Sequence, residues 1–377
     1  MLYLDNAATT PVRPEVRDAI WPYLAEWFGN PSSHHTVGEA AASALADARA
    51  RVAKVVGMRT GDIVFTSGGT EANNLAIKGI AVAAASARGA SHVVTTAIEH
   101  ESILQSVDYL QRVHGFTATL LEVDSAGRLE AAALANALSD RTALAAIGYA
   151  NNEVGTVQDT ASLSAIAKAH RIPLHVDAVQ AAGWLPLAGL GADSMAIAGH
   201  KIGAPPGTGV LAVRGRIPLE PLLHGGGQER DRRSGTENVA GAVGFALALE
   251  LAEAERIESV HRVGHLRDEF VTRVLQLVPS ARLTGSVEHR LANSASFTFE
   301  GTSGEAVLLE LERRGVVSSS GSACAAGSDE PSHVLLALGV EPATAQTAVR
   351  FTFAHTQHDP LAPVADAVAA SVAQLSA

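Results

Sequence analysis

The chain has 377 residues, 47% of them hydrophobic, and a formal net charge of −11 at pH 7. This length can bury a large core, and one large domain with a smaller one is the expected division. The acidic balance and the lack of a Lys/Arg-rich run argue against direct nucleic-acid binding and against attachment to an anionic membrane surface.

Short strand-like runs alternate with longer helical ones in the first part of the chain. This alternation predicts an α/β fold with a mostly parallel sheet and crossing helices, for example over 101–113 and 161–170. Seven strands are predicted, at 62–66, 92–98, 117–123, 142–150, 173–178, 193–198 and 209–213.

The pattern changes after residue 213. A glycine-rich loop leads into a long helical region at about 237–278. It contains the longest apolar run, 239–249, which is too short to span a bilayer and predicts a buried helix. New strands are predicted at 293–299 and 349–353. We therefore expect a large domain over 15–255 and a small domain formed by 1–14 and 256–377.

The termini and the cysteine content bear on the compartment. The first residues have neither a basic start nor an apolar stretch, so we expect no signal peptide and a cytoplasmic protein. The single cysteine, Cys324, can form neither an internal disulfide nor a CxxC site. His261 and His265 have the spacing of zinc ligands but lack the glutamate of HExxH, so we expect a solvated helix face and no metal site.

Lys201 and Asp177 indicate the chemistry. Each lies at or just after the end of a predicted strand, where α/β sheets bind ligands. A lysine can hold pyridoxal phosphate as a Schiff base, and a carboxylate can keep the pyridine nitrogen protonated so that the ring accepts electrons from a carbanion. The alternative for the aspartate is a structural arginine partner or a helix cap.

The turn at 67–70 follows the first strand of the predicted sheet and opens a helix. Gly69 would let backbone N–H groups approach an anion, and a helix N-terminus favours negative charge, so a phosphate site is one interpretation. An ordinary turn with a helix cap is the other. The segment matches neither GxxxxGK[ST] nor GxGxxG.

Three further residues are candidates for the same chemistry. His100 is either a polar helix start or a ring that stacks on a planar cofactor and moves protons. Arg350 either clamps a substrate carboxylate or forms a surface salt bridge. A lone cysteine is usually a small buried apolar residue. No apolar neighbour of Cys324 within 318–328 is larger than alanine, which favours a reactive thiol.

These motifs together resemble the NifS/IscS-like cysteine desulfurases of the class V aminotransferase superfamily, over almost the whole chain. The matching segments are YLDNAATTP (3–11), GNPSS (29–33), SGGTEANN (67–74), EH (99–100), NNEVG (151–155), HVDAVQ (175–180), GHK (199–201), GGGQE (225–229), RSGT (233–236) and the segment around Cys324. The resemblance implies a fold type I homodimer with its active site at the subunit interface.

The resemblance also implies roles for individual residues. Lys201 would hold the cofactor, Asp177 would pair with the pyridine nitrogen, Gln180 would bond the ring hydroxyl, and His100 would stack on the ring. The phosphate would contact Gly69, Thr70, His200 and Thr236 of the partner subunit. Asn152 and Arg350 would fix the substrate carboxylate, and Cys324 would receive sulfur.

The implied reaction converts L-cysteine to L-alanine and a persulfide on Cys324. The sulfur would pass to an acceptor protein, for iron-sulfur cluster assembly or for tRNA thiolation. A selenocysteine lyase, or another class V aminotransferase or lyase, is the alternative and would not need the thiol. One departure is Ala198, where the family commonly has a serine that bonds the phosphate.

Overall fold

The computed structural model describes residues 1–320 and 330–375, and the statements below concern those residues. The strands are β1 (Leu2–Tyr3), β2 (Ile63–Thr66), β3 (His92–Thr96), β4 (Thr117–Leu121), β5 (Thr142–Gly148), β6 (Leu174–Asp177), β7 (Ser194–Ala198), β8 (Gly209–Val213), β9 (Ala281–Leu283), β10 (Ser294–Phe299), β11 (Val316–Val317) and β12 (Ala348–Thr352).

The described residues also form eleven α-helices. They are α1 (Pro14–Ala25), α2 (Thr36–Val56), α3 (Gly69–Arg88), α4 (Glu101–His114), α5 (Ala131–Ala137), α6 (Thr160–Ala169), α7 (Val239–Leu277), α8 (Gly304–Arg313), α9 (His333–Ala337), α10 (Pro342–Ala345) and α11 (Ala362–Leu375). None of these helices is long and apolar enough to cross a bilayer.

Seven strands form the main sheet, in the order β2-β8-β7-β6-β5-β3-β4. Only β8 runs antiparallel to its neighbours, β2 and β7; the other pairs are parallel. The predicted mostly parallel α/β sheet is confirmed, and its seven strands are those that the sequence predicted, although several are shorter by one or two residues.

Both faces of the central strands of this sheet are buried, as expected of parallel strands, whereas the edge strand β4 leaves Leu120 53% exposed. Along β5, Leu144 and Ala146 pack with α3 and α4, whereas Ala145 and Ile147 pack with α2, α6 and α7. Covered faces leave the edge at the carboxyl ends of the strands as the place for a ligand.

A second apolar core surrounds the antiparallel sheet β12-β10-β9. Phe270 of α7 lies edge-on to Phe351 and Phe297, with ring centroids 5.2 and 6.0 Å apart. At the chain's start, β1 pairs in parallel with β11. Helix α7 contributes its first half to the main core and its second half to this one. The division into domains near residue 255 stays a prediction.

Candidate active site

The carboxyl ends of β3, β5, β6 and β7 border one cavity of about 470 Å³. The residues that the sequence singled out follow those strands, so the topology brings them to the same edge of the sheet. The predicted site residues that line this cavity are Gly69, Thr70, His100, Asn152, Asp177, Gln180, His200, Lys201 and Arg350.

Lys201 lies immediately after β7, in a short 3-10 turn. Its Nζ donates hydrogen bonds to the carbonyl oxygens of Ala7 and Ala8, the latter at 2.6 Å. Gln180 Nε2 also donates to Ala7 O, at 3.1 Å. The N-terminal motif therefore forms one wall of the cavity, next to the lysine amine.

Asp177 is the last residue of β6 and points both carboxylate oxygens at N–H donors. Its Oδ1 accepts from the Val179 backbone at 2.9 Å, and its Oδ2 accepts from Asn73 Nδ2 at 2.6 Å. Hydrogen bonds of this kind favour the charged form of a carboxyl group. Both of these partners are amide N–H groups and neither is an arginine.

A second carboxyl group, Glu99, lines the cavity beside Asp177. Its side chain accepts from the Thr96 hydroxyl and from the Gly148 N–H, both at 2.7 Å. Burial raises the pKa of Glu99 to about 8, and the charge of Asp177 adds to the increase. Near neutral pH the Glu99 carboxyl group is therefore mostly protonated and neutral.

His100 is the N-cap of α4, and its Nδ1 accepts the Ser102 N–H at 3.0 Å. The polar helix start considered from the sequence is thus present, and the same ring lines the cavity. Because Nδ1 faces the first turn of α4, Nε2 of the same ring points away from that turn.

Thr70 lies in the first turn of α3, whose N-terminus borders the cavity. A side chain at Gly69 would place its Cβ 2.7 Å from Val179 Cγ2, so the close approach of α3 to the turn after β6 favours glycine. Across the cavity, burial lowers the pKa of His200 to about 4, with a contribution from Lys201. A neutral imidazole and a helix N-terminus can both donate hydrogen bonds to an anion.

Arg350 lies on β12 and is 2% exposed, so it is not part of a surface salt bridge. Its guanidinium donates to Asp5 Oδ1 at 2.7 Å and to Asn152 O at 3.0 Å. These contacts place a cation against the cavity beside Asn152. A buried guanidinium of this kind can orient a carboxylate.

Cys324 lies outside the described residues. Before it, Ser319 exchanges backbone hydrogen bonds with Arg350. After it, His333 lines the cavity and its Nε2 lies 3.0 Å from Glu99 O. The described residues on both sides of the 321–329 stretch are therefore close to the cavity.

Thr236 is not brought to this cavity. It is exposed and lines a separate hollow of about 180 Å³. The loop that leads to it is held by Glu229, which forms an ion pair with buried Arg49 at 2.5 Å, and by Arg233, which pairs with Glu71 at 2.9 Å. Thr236 is thus presented at the surface on an anchored loop.

The sequence alone predicted no role for Asn73, Glu99 or His333. Asn73 and Glu99 belong to the motifs at 67–74 and 99–100. Their partners, Asp177 and Gly148, are distant in sequence. His333 follows the cysteine segment and gave no signal of its own.

The side chains around the cavity fit pyridoxal phosphate. A lysine amine, a carboxylate that accepts two N–H bonds, and a helix N-terminus beside an imidazole match the aldehyde, the pyridine nitrogen and the phosphate of that cofactor. The buried arginine remains for a substrate carboxylate.

Comparisons with known proteins agree. A family model described as aminotransferase class-V matches residues 2–359. The cysteine desulfurase IscS of Dictyoglomus turgidum is 44% identical over 353 residues, 93% of this chain and 89% of that protein. The IscS-like cysteine desulfurase of Mycobacterium tuberculosis is 43% identical over 362 residues, 94% of this chain and 92% of that protein. A solved structure titled NifS-like protein is similar at a TM-score of 0.89 and 33% identity, covering 100% of this chain and 98% of that one.

Proposed function

Because this chain belongs to the aminotransferase class-V family and resembles proteins named cysteine desulfurases, we propose that it is a pyridoxal-phosphate-dependent cysteine desulfurase. The observation that carries the proposal is the placement of Lys201, Asp177 and Arg350 around one cavity, with the residues that flank the Cys324 segment beside it.

Each part of the cofactor has a candidate partner in the cavity. Lys201 would bind its aldehyde, Asp177 its pyridine nitrogen and Gln180 its ring hydroxyl. The ring of His100 would lie against the cofactor ring. The phosphate would be held at the N-terminus of α3, with Gly69 allowing the close approach, by Thr70 and His200.

When bound, pyridoxal phosphate supplies a protonated ring that accepts the electron pair of a substrate carbanion. The chain's own residues would do the rest. Arg350 and Asn152 orient the carboxylate of L-cysteine. The Lys201 amine takes the Cα proton, and His100 moves protons to and from the substrate and the thiol.

Cys324 would receive the sulfur. Its thiolate attacks the sulfur of the substrate, so that an S–S bond forms as the C–S bond breaks. The electron pair of the C–S bond passes to Cβ, which gains a proton, and Cα regains the proton that Lys201 removed, so that the carbon product is L-alanine. The product on the protein is a persulfide. A thiolate is required because a free thiol is mostly protonated at neutral pH.

The enzyme would be a homodimer in which Thr236 of the partner subunit completes the phosphate site. Two observations support this arrangement: Thr236 is exposed on an anchored loop away from Lys201, and α1 and the segment after it expose large apolar side chains. Among these, Trp21 is 66% and Phe28 is 74% exposed, which is unusual unless another surface covers them.

The physiological role would be delivery of sulfur to an acceptor protein in the cytoplasm, either a scaffold for iron-sulfur cluster assembly or a tRNA-thiolation enzyme. A single cysteine that must stay a reactive thiol fits a reducing compartment.

Reconstitution of the purified protein with pyridoxal phosphate tests the proposal. We expect a visible absorbance band from the lysine-bound cofactor, and production of alanine from L-cysteine in the presence of a thiol reductant. Lys201→Ala should lose both, whereas the matched control Lys168→Ala, on the exposed face of α6, should keep both. A wild-type protein with neither a visible band nor a borohydride-reducible lysine adduct would overturn the assignment.

Cys324→Ala separates this function from that of a lyase. The variant should keep the visible band and its change on addition of L-cysteine, but should form little alanine or sulfide. Alanine production at the wild-type rate would favour a selenocysteine lyase or another lyase that does not need the thiol.

A further inference from the structure

Asp177 and His100 share one buried neighbour, Asn73, which is 1% exposed. Asn73 Nδ2 lies 2.6 Å from Asp177 Oδ2 and 2.9 Å from Ser102 Oγ. Ser102 Oγ in turn lies 2.8 Å from His100 Nδ1. One amide group therefore reaches, directly or through one hydroxyl, both residues that the proposed function places against the cofactor ring.

The oxygen of this amide is bound by His175. This histidine of β6 is fully buried, and burial lowers its pKa to about 3, so the ring is neutral and carries one N–H. Its Nε2 lies 2.9 Å from Asn73 Oδ1, and its Nδ1 lies 2.9 Å from Ser194 Oγ. Because an amide oxygen only accepts, the proton is on Nε2, and Nδ1 accepts from Ser194.

Each hydrogen bond in this network then has one possible donor and one possible acceptor. With Asn73 Oδ1 bonded to His175, both N–H groups of the amide point to Asp177 and Ser102. Asp177 can only accept when charged, which suits an N–H donor. Ser102 Oγ accepts from Asn73 and so directs its own proton to His100 Nδ1, which leaves the ring proton of a neutral His100 on Nε2.

We propose that Asn73 is a positioning residue, held by His175, that orients the Asp177 carboxyl group toward the pyridine nitrogen and fixes the tautomer of His100. The inference rests on the proposed function, because it needs pyridoxal phosphate in this cavity. Asn73 acts through Asp177 and Ser102, so its effect should depend on those residues being present.

A double-mutant cycle tests this dependence. Apo protein is titrated with pyridoxal phosphate by equilibrium dialysis for the wild type, Asn73→Leu, Asp177→Ala and the double variant. Asn73→Leu should weaken cofactor binding about tenfold, as expected for loss of one hydrogen bond to a charged group. The same change should have no further effect in Asp177→Ala. The visible band of the bound cofactor should shift in Asn73→Leu in the direction in which it shifts in Asp177→Ala.

The adjacent residue provides the matched control. Asn74 is half-buried and its Nδ2 donates to Thr70 O one turn earlier on α3, so Asn74→Leu makes the same chemical change and should leave the affinity and the visible band unchanged. Asn73→Ser, which is shorter and leaves room for water, is the second variant if Asn73→Leu does not fold. It should show the same loss.

The outcomes separate the two proposals. Equal losses from Asn73→Leu with and without Asp177, or no loss in either Asn73 variant, would overturn the positioning role. A wild-type protein that does not bind pyridoxal phosphate would instead overturn the proposed function.

Discussion

Arg350 Nη2 lies 2.7 Å from Asp5 Oδ1, although 345 positions of sequence separate the two residues. The guanidinium also donates to Asn152 O at 3.0 Å. Asp5 therefore ties the first strand region of the chain to the arginine that is proposed to bind the substrate carboxylate.

Asp5→Asn should lower both stability and substrate affinity. It leaves the buried Arg350 with a weaker acceptor, which should reduce the free energy of unfolding by about 1.5–3 kcal/mol. A less well oriented guanidinium should raise KM for L-cysteine more than it lowers kcat. Urea unfolding and steady-state kinetics measure the two effects. Asp18→Asn, in the exposed pair with Arg17, is the control and should change neither. An unchanged KM would argue against a substrate-binding role for Arg350.

Glu99 should make the stability of the apo protein depend on pH. Its pKa is about 8 in the folded protein, against an ordinary value of 4.5. Between these values the folded chain holds a proton that the unfolded chain has lost, so the free energy of unfolding falls as the pH rises from about 4.5 to about 8.

Glu99→Gln removes this dependence because an amide cannot ionise. The variant should match the wild type near pH 5 and exceed it near pH 8 by up to a few kcal/mol. Denaturant unfolding of the apo protein at several pH values provides the measurement, with the exposed Glu122→Gln as control. Parallel wild-type and Glu99→Gln curves would show that Glu99 is ionised in the folded state.

Thr236 should act across a subunit interface. Thr236→Val keeps the shape but loses the hydroxyl, and should weaken cofactor retention by about 1 kcal/mol, or more if the bond is charge-assisted. In a hybrid dimer with Lys201→Ala, both lesions fall on one site and the other site stays intact. Mixing Lys201→Ala protein, which is inactive, with Thr236→Val protein, which is weakened, should therefore give hybrid dimers with about half of the wild-type activity. Confirmed subunit exchange with no recovered activity, or a fully active monomer in sedimentation, would contradict the shared site.

Ala198→Ser should tighten cofactor binding. Ala198 ends β7, is 1% exposed and lines the cavity next to the N-terminus of α3. A hydroxyl there could donate to the phosphate, a gain of roughly 0.5–1.5 kcal/mol, or about tenfold in affinity at most. Ala196→Ser, two residues earlier on the same strand, is the control and should lower stability without changing the affinity. Equilibrium dialysis measures the affinity of each variant for pyridoxal phosphate. An unchanged affinity in Ala198→Ser would show that the phosphate does not lie beside residue 198.

The sheet could be predicted from sequence because strands buried on both faces are short apolar runs, such as β5, and each is followed by a recognisable motif. Because the carboxyl ends of parallel strands lie at one edge of a sheet, the positions of Asp177 and Lys201 at that edge followed from their places at or just after strand ends. Contacts between distant segments could not be predicted. These contacts depend on how separate elements pack, which no local pattern encodes. Examples are the Arg350–Asp5 pair, the pairing of β1 with β11, and the burial of Glu99 against Gly148.

Helix α7 spans 39 residues and belongs to both apolar cores. Loss of either core would expose half of this helix, and an isolated helix half has little stability of its own in water. The two cores should therefore unfold together, in one cooperative transition, even though each surrounds a different sheet. A destabilising change near Phe270, Phe297 and Phe351 would then lower the population of the whole folded chain. Cofactor binding would fall with that population, although no contact in the cavity itself would change.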